Sequence, residues 1–269
     1  MPSSRNWVGA LLLRAPTPLR LIRNVPVLGE LVHRISHRVL PEDKRVWAQV
    51  EAGPAKGLWL ELNPRTGQNY LRGDAESRVQ EALEKRLRPG MVFYDLGANI
   101  GFFSLLGARL VGPHGKVFSF EPDAEVASRL RRNAGRNGFS NIAVVEAGVW
   151  SSSCEMTFVA ADSSSPDHGT GTFMQGAAEA TGAPVRCVAL DDFARNAPPP
   201  DAIKCDVEGA EVQALQGAEK LIEERRPWIL CELHSKDNDR AWRELLRRFG
   251  YNFEVVDTLH ILATAPREM

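Results

Sequence analysis

Residues 91–122, MVFYDLGANIGFFSLLGARLVGPHGKVFSFEP, constrain the fold more than any other stretch of the chain. A short β-branched and aromatic run at 91–94 leads into turn residues at 95–101, and a largely apolar helix pattern follows from Phe102 to Leu110. A second strand at 117–120 ends in Glu121. Strand, glycine turn, helix and parallel strand make a crossover unit, and in an open parallel sheet ligands bind outside the carboxyl ends of the strands. The turn and Glu121 are therefore expected to face one crevice.

The pattern repeats downstream. A helix over 124–137 precedes a strand at 142–146, and strands at 202–205 and 228–233 alternate with helical stretches. One of these carries a buried stripe of Val212, Leu215, Ala218, Leu221 and Ile222, and the other spans 240–249. Residues 252–256 and 259–263 read as a closing antiparallel pair around Asp257 and Thr258. Ahead of the sheet, 46–62 alternates on both sides of a Gly-Pro-Ala-Lys-Gly turn and predicts a β-hairpin. The stretch 63–74 reads as a loop and 75–87 as a helix. Residues 150–183 are rich in Ser, Gly, Thr and Ala with one short apolar strand, which reads as an insertion or lid; regular structure resumes with a strand at 185–190.

The first 45 residues form a basic arm. Eight Lys or Arg within residues 1–50 against Glu30, Glu42 and Asp43 give +5 locally, leaving −6 elsewhere for a net charge of −1. Leu28, Leu31, Val32, Ile35 and Val39 recur at helical spacing, so an amphipathic helix is expected there. It reads as packed on the domain surface, with peripheral contact to a membrane or partner through residues 1–40 as the other reading. The near-neutral balance gives no sign of nucleic-acid binding. No apolar run reaches the roughly 20 residues of a membrane span, and the amino end lacks a signal-peptide pattern. Cys154, Cys187, Cys205 and Cys231 form no C-x-x-C pair, and reduced thiols in a cytoplasmic protein are the plain expectation.

Spacing narrows the ligand. A Walker loop needs Lys-Ser or Lys-Thr after its last glycine, and none follows Gly101. The dinucleotide fingerprint would put glycines where Asn99 and Phe102 stand, which disfavours an NAD-dependent oxidoreductase. The remaining option is an S-adenosylmethionine turn, an acid closing the strand and small residues at alternate positions, here Asp95, Gly97, Asn99 and Gly101. Asn tolerates the positive φ that the middle position asks for. Glu121 could accept both ribose hydroxyls.

At this point the chain resembles the FkbM-type S-adenosylmethionine-dependent methyltransferases, through FYDLGANIGFFSL, FSFEP, NIAVVEAGV, VALDD, IKCDVEGAEVQALQGAEKLI and PWILCELH. The resemblance runs over roughly residues 70–250. It implies a Rossmann-like α/β fold with a seven-stranded, mostly parallel sheet and an antiparallel last strand, set here in one domain over 46–269. It also implies methyl transfer to a hydroxyl of a small molecule, sugar, glycan or polyketide. By the family's pattern Asp95, Gly97, Ala98, Asn99 and Gly101 line the methionine part of the donor, Glu121 the ribose, and Ala147 and Gly148 the adenine. Retention of Asp95, Glu121 and Asp206 speaks against the rival reading, a non-catalytic docking module.

The acceptor chemistry is expected at the ends of the next two strands, with Asp206, Glu208, Glu232 and His234 as candidates. His234 is the first choice of base, because imidazole titrates near neutral pH without a large shift. Glu211 reads as a solvated first-turn acid. Asp206, Glu232 and His234 also make an O,O,N set that could hold a divalent ion, a secondary reading beside a metal-free site. Neither the acceptor nor the oligomeric state is legible.

Overall fold

The computed structural model describes residues 45–63, 66–160, 171–174 and 183–266. The expected amphipathic helix of the arm and His168, which by sequence reads as a loop residue of the insertion, lie outside them. The described residues fall in two compact units, the smaller ending at Ala75 and the larger beginning at Glu76.

In the smaller unit β1 (Val46–Gln49) and β2 (Trp59–Leu62) pair antiparallel, the hairpin read from the alternation. Inside the stretch read as a loop stands a short helix, α1 (Gln68–Arg72), closed by Gly73 in the left-handed conformation. Its five residues are too few for an apolar period to show in sequence.

The larger unit opens with α2 (Ser77–Arg86) and is built on a seven-stranded sheet. β3 (Val92–Leu96), α3 (Phe102–Val111), β4 (Lys116–Phe120), α4 (Ala124–Arg136) and β5 (Ile142–Val145) form the first half. After a second, smaller sheet the chain returns through α5 (Leu190–Phe193) to β10 (Ala202–Cys205), α6 (Glu211–Gln216), α7 (Glu219–Arg225), β11 (Trp228–Glu232), α8 (Lys236–Arg248), β12 (Asn252–Val255) and β13 (His260–Thr264). The strand order is β12-β13-β11-β10-β3-β4-β5. The last strand alone runs antiparallel, as the resemblance implied.

Strand order reverses between β3 and β10, so the switch-point crevice opens beyond Leu96 and Cys205. The central strands are apolar because helices cover both faces. Trp242 of α8 is fully buried and joins the same core as Tyr94, Phe120 and Ile229. Each such side chain contributes about 1.5 to 3 kcal/mol by leaving water.

Three local readings change. The single helix expected over the Val212–Ile222 stripe is two, α6 and α7, broken at Gly217 and Ala218. The break has a cause: a Cβ on Gly217 would sit 2.2 Å from the Trp150 carbonyl oxygen, and the Gly217 carbonyl accepts the Asp191 N–H at 2.8 Å. Asp191, expected just past a strand end, lies in α5 and caps α7, accepting the N–H groups of Lys220 and Leu221 at 3.1 and 2.9 Å. Finally, α8 begins at Lys236, capped by Ser235, rather than at Arg240.

The stretch read as an insertion contributes strands. β6 (Gly148–Val149), β7 (Cys154–Ala160), β8 (Gly171–Met174) and β9 (Ala183–Val188) form a separate sheet of order β6-β9-β7-β8. The strand expected at 185–190 is β9, which ends at Val188 and pairs within this sheet. All four cysteines are unpaired thiols. Among the described residues no helix is long and apolar enough to cross a membrane.

Candidate active site

The turn after β3 is shaped by backbone conformation. Gly97, Asn99 and Gly101 all have positive φ (75°, 49° and 89°), and Asn99 takes the role expected of it, its own Oδ1 accepting the Ile100 N–H at 2.7 Å. At Gly97 glycine is obligatory twice over: besides φ, a Cβ would meet the Asp206 carbonyl oxygen at 1.7 Å. The glycine turn and the segment after β10 therefore touch.

Two buried acids flank this turn. Asp95 Oδ2 accepts the Ser104 hydroxyl at 2.5 Å, while its buried Oδ1 has no hydrogen-bond partner. Burial pushes the Asp95 carboxyl up, against the pull of Lys204. Glu121, at the end of β4, accepts the N–H groups of Asn99 at 2.8 Å and Asp123 at 3.0 Å. Burial raises its carboxyl to about 8 although both amides favour the ionised form. A carboxylate oxygen that accepts one amide keeps a second lone pair, so Glu121 can still take hydroxyl donors. The orphaned Asp95 oxygen, the opened glycine turn and Glu121 fit a donor with an amino acid at one end and a ribose at the other. At the suggested adenine edge, Ala147 is buried and gives its N–H to Val145, while Gly148 pairs with Cys187 in the second sheet.

Across the switch point, β10 carries Lys204, 2% exposed, in register with Asp95 of β3. Its ammonium donates to Asp206 Oδ2 at 2.9 Å and lies 4.6 Å from the Phe103 ring centre. Burial opposes the charge on Lys204, but Asp206, Glu76 and Asp95 outweigh it and raise the pKa. Burial likewise acts to raise Asp206, and Lys204 reverses that, holding it below the usual carboxylate range.

The expected acceptor residues converge. His234 Nε2 lies 3.3 Å from Glu208, 3.8 Å from Asp206 and 3.8 Å from Glu232. Its Nδ1 is 2.6 Å from Glu211 Oε1. Glu211 is thus not the solvated first-turn acid that its position suggested. It is 0% exposed, and it also accepts the Gly209 N–H at 2.8 Å and the Asn238 side-chain amide at 2.6 Å. Burial acts to raise its carboxyl, but the His234 and Gly209 hydrogen bonds prevail and hold it low. Nor is His234 unshifted. The Glu211 hydrogen bond, with Glu208 and Asp206 nearby, raises its pKa to about 9 despite partial burial. Glu208 sits in the left-handed region (φ 48°), and its pKa is raised by burial against the pull of His234.

A second imidazole, missed in sequence, lies beside this group. His260 of β13 holds Asp257 at Nδ1, 2.8 and 3.0 Å from its two oxygens. Its Nε2 faces Glu76 at 3.2 Å and Glu232 at 3.4 Å. Burial would lower its pKa, but Glu232, Glu76 and Asp257 raise it to about 10. Two trios thus have the proximity to hold a metal ion, Asp206–Glu232–His234 and Glu76–Glu232–His260.

Beyond His234 a groove of about 440 Å³ runs between the start of α8 and the β12–β13 hairpin, lined among others by Lys236, Arg243, Val255 and Leu259.

The methyltransferase FkbM domain family matches residues 95–253. Among curated proteins, 31-O-demethyl-FK506 methyltransferase FkbM of Streptomyces tacrolimicus is 41% identical over 90 residues, 34% of this chain and 30% of that protein. Hexuronic acid methyltransferase AglP of Haloferax volcanii is 25% identical over 187 residues, 69% of this chain and 72% of that protein. The match thus spans less than a third of the first relative and nearly three quarters of the second. Among solved structures, methyltransferase FkbM from Methylobacillus flagellatus KT is 21% identical, with a TM-score of 0.49, over 66% of this chain and 44% of that one.

Proposed function

The chain belongs to the FkbM methyltransferase family, and from that premise we propose that it moves the methyl group of S-adenosylmethionine to a hydroxyl oxygen of a small molecule or glycan. The names of the two curated relatives, a 31-O-demethyl-FK506 methyltransferase and a hexuronic acid methyltransferase, support that acceptor class. The observation that carries the reading is His234, fixed through Nδ1 by buried Glu211 while Nε2 faces Asp206, Glu208 and Glu232 across the switch point from the glycine turn.

When bound, S-adenosylmethionine supplies an activated methyl group, so the protein's work is to orient the acceptor and take its proton. Asp95, Gly97, Ala98, Asn99 and Gly101 hold the amino-acid end, Glu121 the ribose, and Ala147 and Gly148 border the adenine. The excess of carboxylates around Asp95, Asp206 and Glu76 over Lys204 favours a cationic donor. His234 Nε2 receives the hydroxyl proton, and the resulting imidazolium is stabilised by Glu211. Asp206, kept ionised by Lys204, and Glu208 orient the acceptor.

A base whose pKa is about 9 is neutral only to about 1% at pH 7, so its chemistry quickens with pH. Methyl transfer is expected to rise about tenfold per unit below pH 9 and to level above it. His234→Ala should abolish that limb and lower kcat by about 10² to 10⁴, leaving S-adenosylhomocysteine affinity near that of the wild type. The assay is a mass-spectrometric screen of sugars, glycans and polyketides for the gain of one methyl group, repeated with Asp206→Ala. Equal rates in wild type and His234→Ala would remove the assignment of the base, and failure to bind S-adenosylhomocysteine would remove the donor.

A further inference from the structure

Glu76 stands before the first turn of α2 in the left-handed conformation, φ 43°, although it is not a glycine. A carboxylate residue held at such a backbone position is kept there by its surroundings. Its Oε2 is buried without a hydrogen-bond partner, and so is Nε2 of His260, a residue 4% exposed. The two atoms are 3.2 Å apart, and Glu232 Oε2 is 3.4 Å from the same nitrogen, close enough for charge but not aligned as hydrogen bonds. A tetrahedral ion with bonds of about 2.0 to 2.1 Å has ligand-to-ligand edges of about 3.3 to 3.4 Å. The two nitrogen-to-oxygen separations are those of neighbouring corners around one cation, and all three atoms lie within 4.8 Å of one another.

The outer arrangement agrees. A metal-bound histidine commonly gives its other ring N–H to a carboxylate, which fixes the tautomer, and Asp257 occupies that place on His260 Nδ1. The competing trio is less suited to a cation. Asp206 is already engaged by the Lys204 ammonium, and its oxygen and that of Glu232 both stand 3.8 Å from His234 Nε2. The Lys204 ammonium, though near enough for Glu76 to raise its pKa, forms no ion pair with Glu76 or Glu232 among the described residues.

We propose that Glu76 Oε2, Glu232 Oε2 and His260 Nε2 bind one divalent first-row cation of the zinc or manganese kind, with Asp257 orienting the imidazole. One nitrogen and two carboxylate oxygens suit those ions, whereas magnesium and calcium prefer oxygen alone. The ion takes the place of the proton that the carboxylates otherwise keep on His260. It ties the start of α2 and the β13 end of the hairpin to the end of β11. Glu232 then turns Oε2 to the ion and leaves Oε1 towards His234, so the site adjoins the transfer chemistry without depending on it.

The test uses the untagged full chain, stripped with chelator, incubated separately with ZnCl2 and MnCl2, passed through gel filtration and analysed for metal by mass spectrometry. About one ion per chain and a raised Tm are expected for the wild type and for His234→Ala. Glu76→Gln should lose retention at least tenfold while keeping its circular dichroism. If that variant does not fold, Asp257→Asn serves instead, with metal affinity expected to fall about 10- to 100-fold. Absence of retained metal in the wild type, unchanged retention in Glu76→Gln or in the Asp257→Asn that replaces it, or loss in His234→Ala alone would overturn the proposal. Since the readout is metal content, its failure is separate from any failure of the methyl-transfer reading.

Discussion

At the scale of single residues, Gly97 makes the sharpest demand, because both its φ of 75° and its approach to Asp206 forbid a side chain. Gly97→Ala is expected to destabilise the protein by at least about 2 kcal/mol in urea unfolding and to abolish S-adenosylhomocysteine binding in calorimetry. Wild-type affinity in that variant would refute the account of the turn. Glu121 gives a titration. Its folded pKa of about 8 lies above the ordinary value, and hydroxyls donated to the ionised form would lower it in the complex, so binding releases a proton. Affinity for S-adenosylhomocysteine should therefore strengthen as pH rises from 6.5 towards 8 and then level, while Glu121→Gln binds more weakly with a flatter profile; identical pH slopes would count against it. The conformation of the glycine turn was legible because local spacing determines a turn. Glu211 was not, since its burial depends on His234 and Asn238, more than 20 residues later. The raised pKa of His234 was hidden for the same reason.

At the scale of elements, register explains how one buried lysine serves two acids. Parallel pairing of β10 with β3 sets Lys204 beside Asp95, and the two-residue period points Asp206 to the same face. Lys204→Met removes the cation beside buried Asp95 and part-exposed Asp206, so a loss of about 3 kcal/mol is expected in urea unfolding. A loss under about 1 kcal/mol would mean that the pair is dispensable. Sequence periodicity found every strand of the main sheet, since apolar runs between glycine turns are local signals. It read the helix pair after β10 as one helix because the meeting of Gly217 with Trp150 is a long-range fact, and the pairing of β9 with β6 and β7 is long-range too.

At the scale of the whole molecule, the parallel order collects the carboxyl ends of β3, β4, β10 and β11 along one edge of the main sheet, and the groove beside α8 continues from His234. Val255 and Leu259, 68% and 50% exposed, are the large apolar side chains left open among the described residues, and both line that groove. An acceptor with an apolar face would cover them. Val255→Asp with Leu259→Asp is expected to raise acceptor KM about tenfold or more, with S-adenosylhomocysteine affinity unchanged; a KM within twofold of wild type would move the acceptor elsewhere. The contact between Gly217 and the Trp150 carbonyl also bears on how such a chain diversifies. Trp150 directly follows β6 of the small sheet, and Gly217 lies on the helix pair after β10, so a segment spanning 148–188 grafted from a relative keeps its seat only where the recipient carries a residue without a side chain at that helix break. Exchange of this region between enzymes is therefore a two-site transplant.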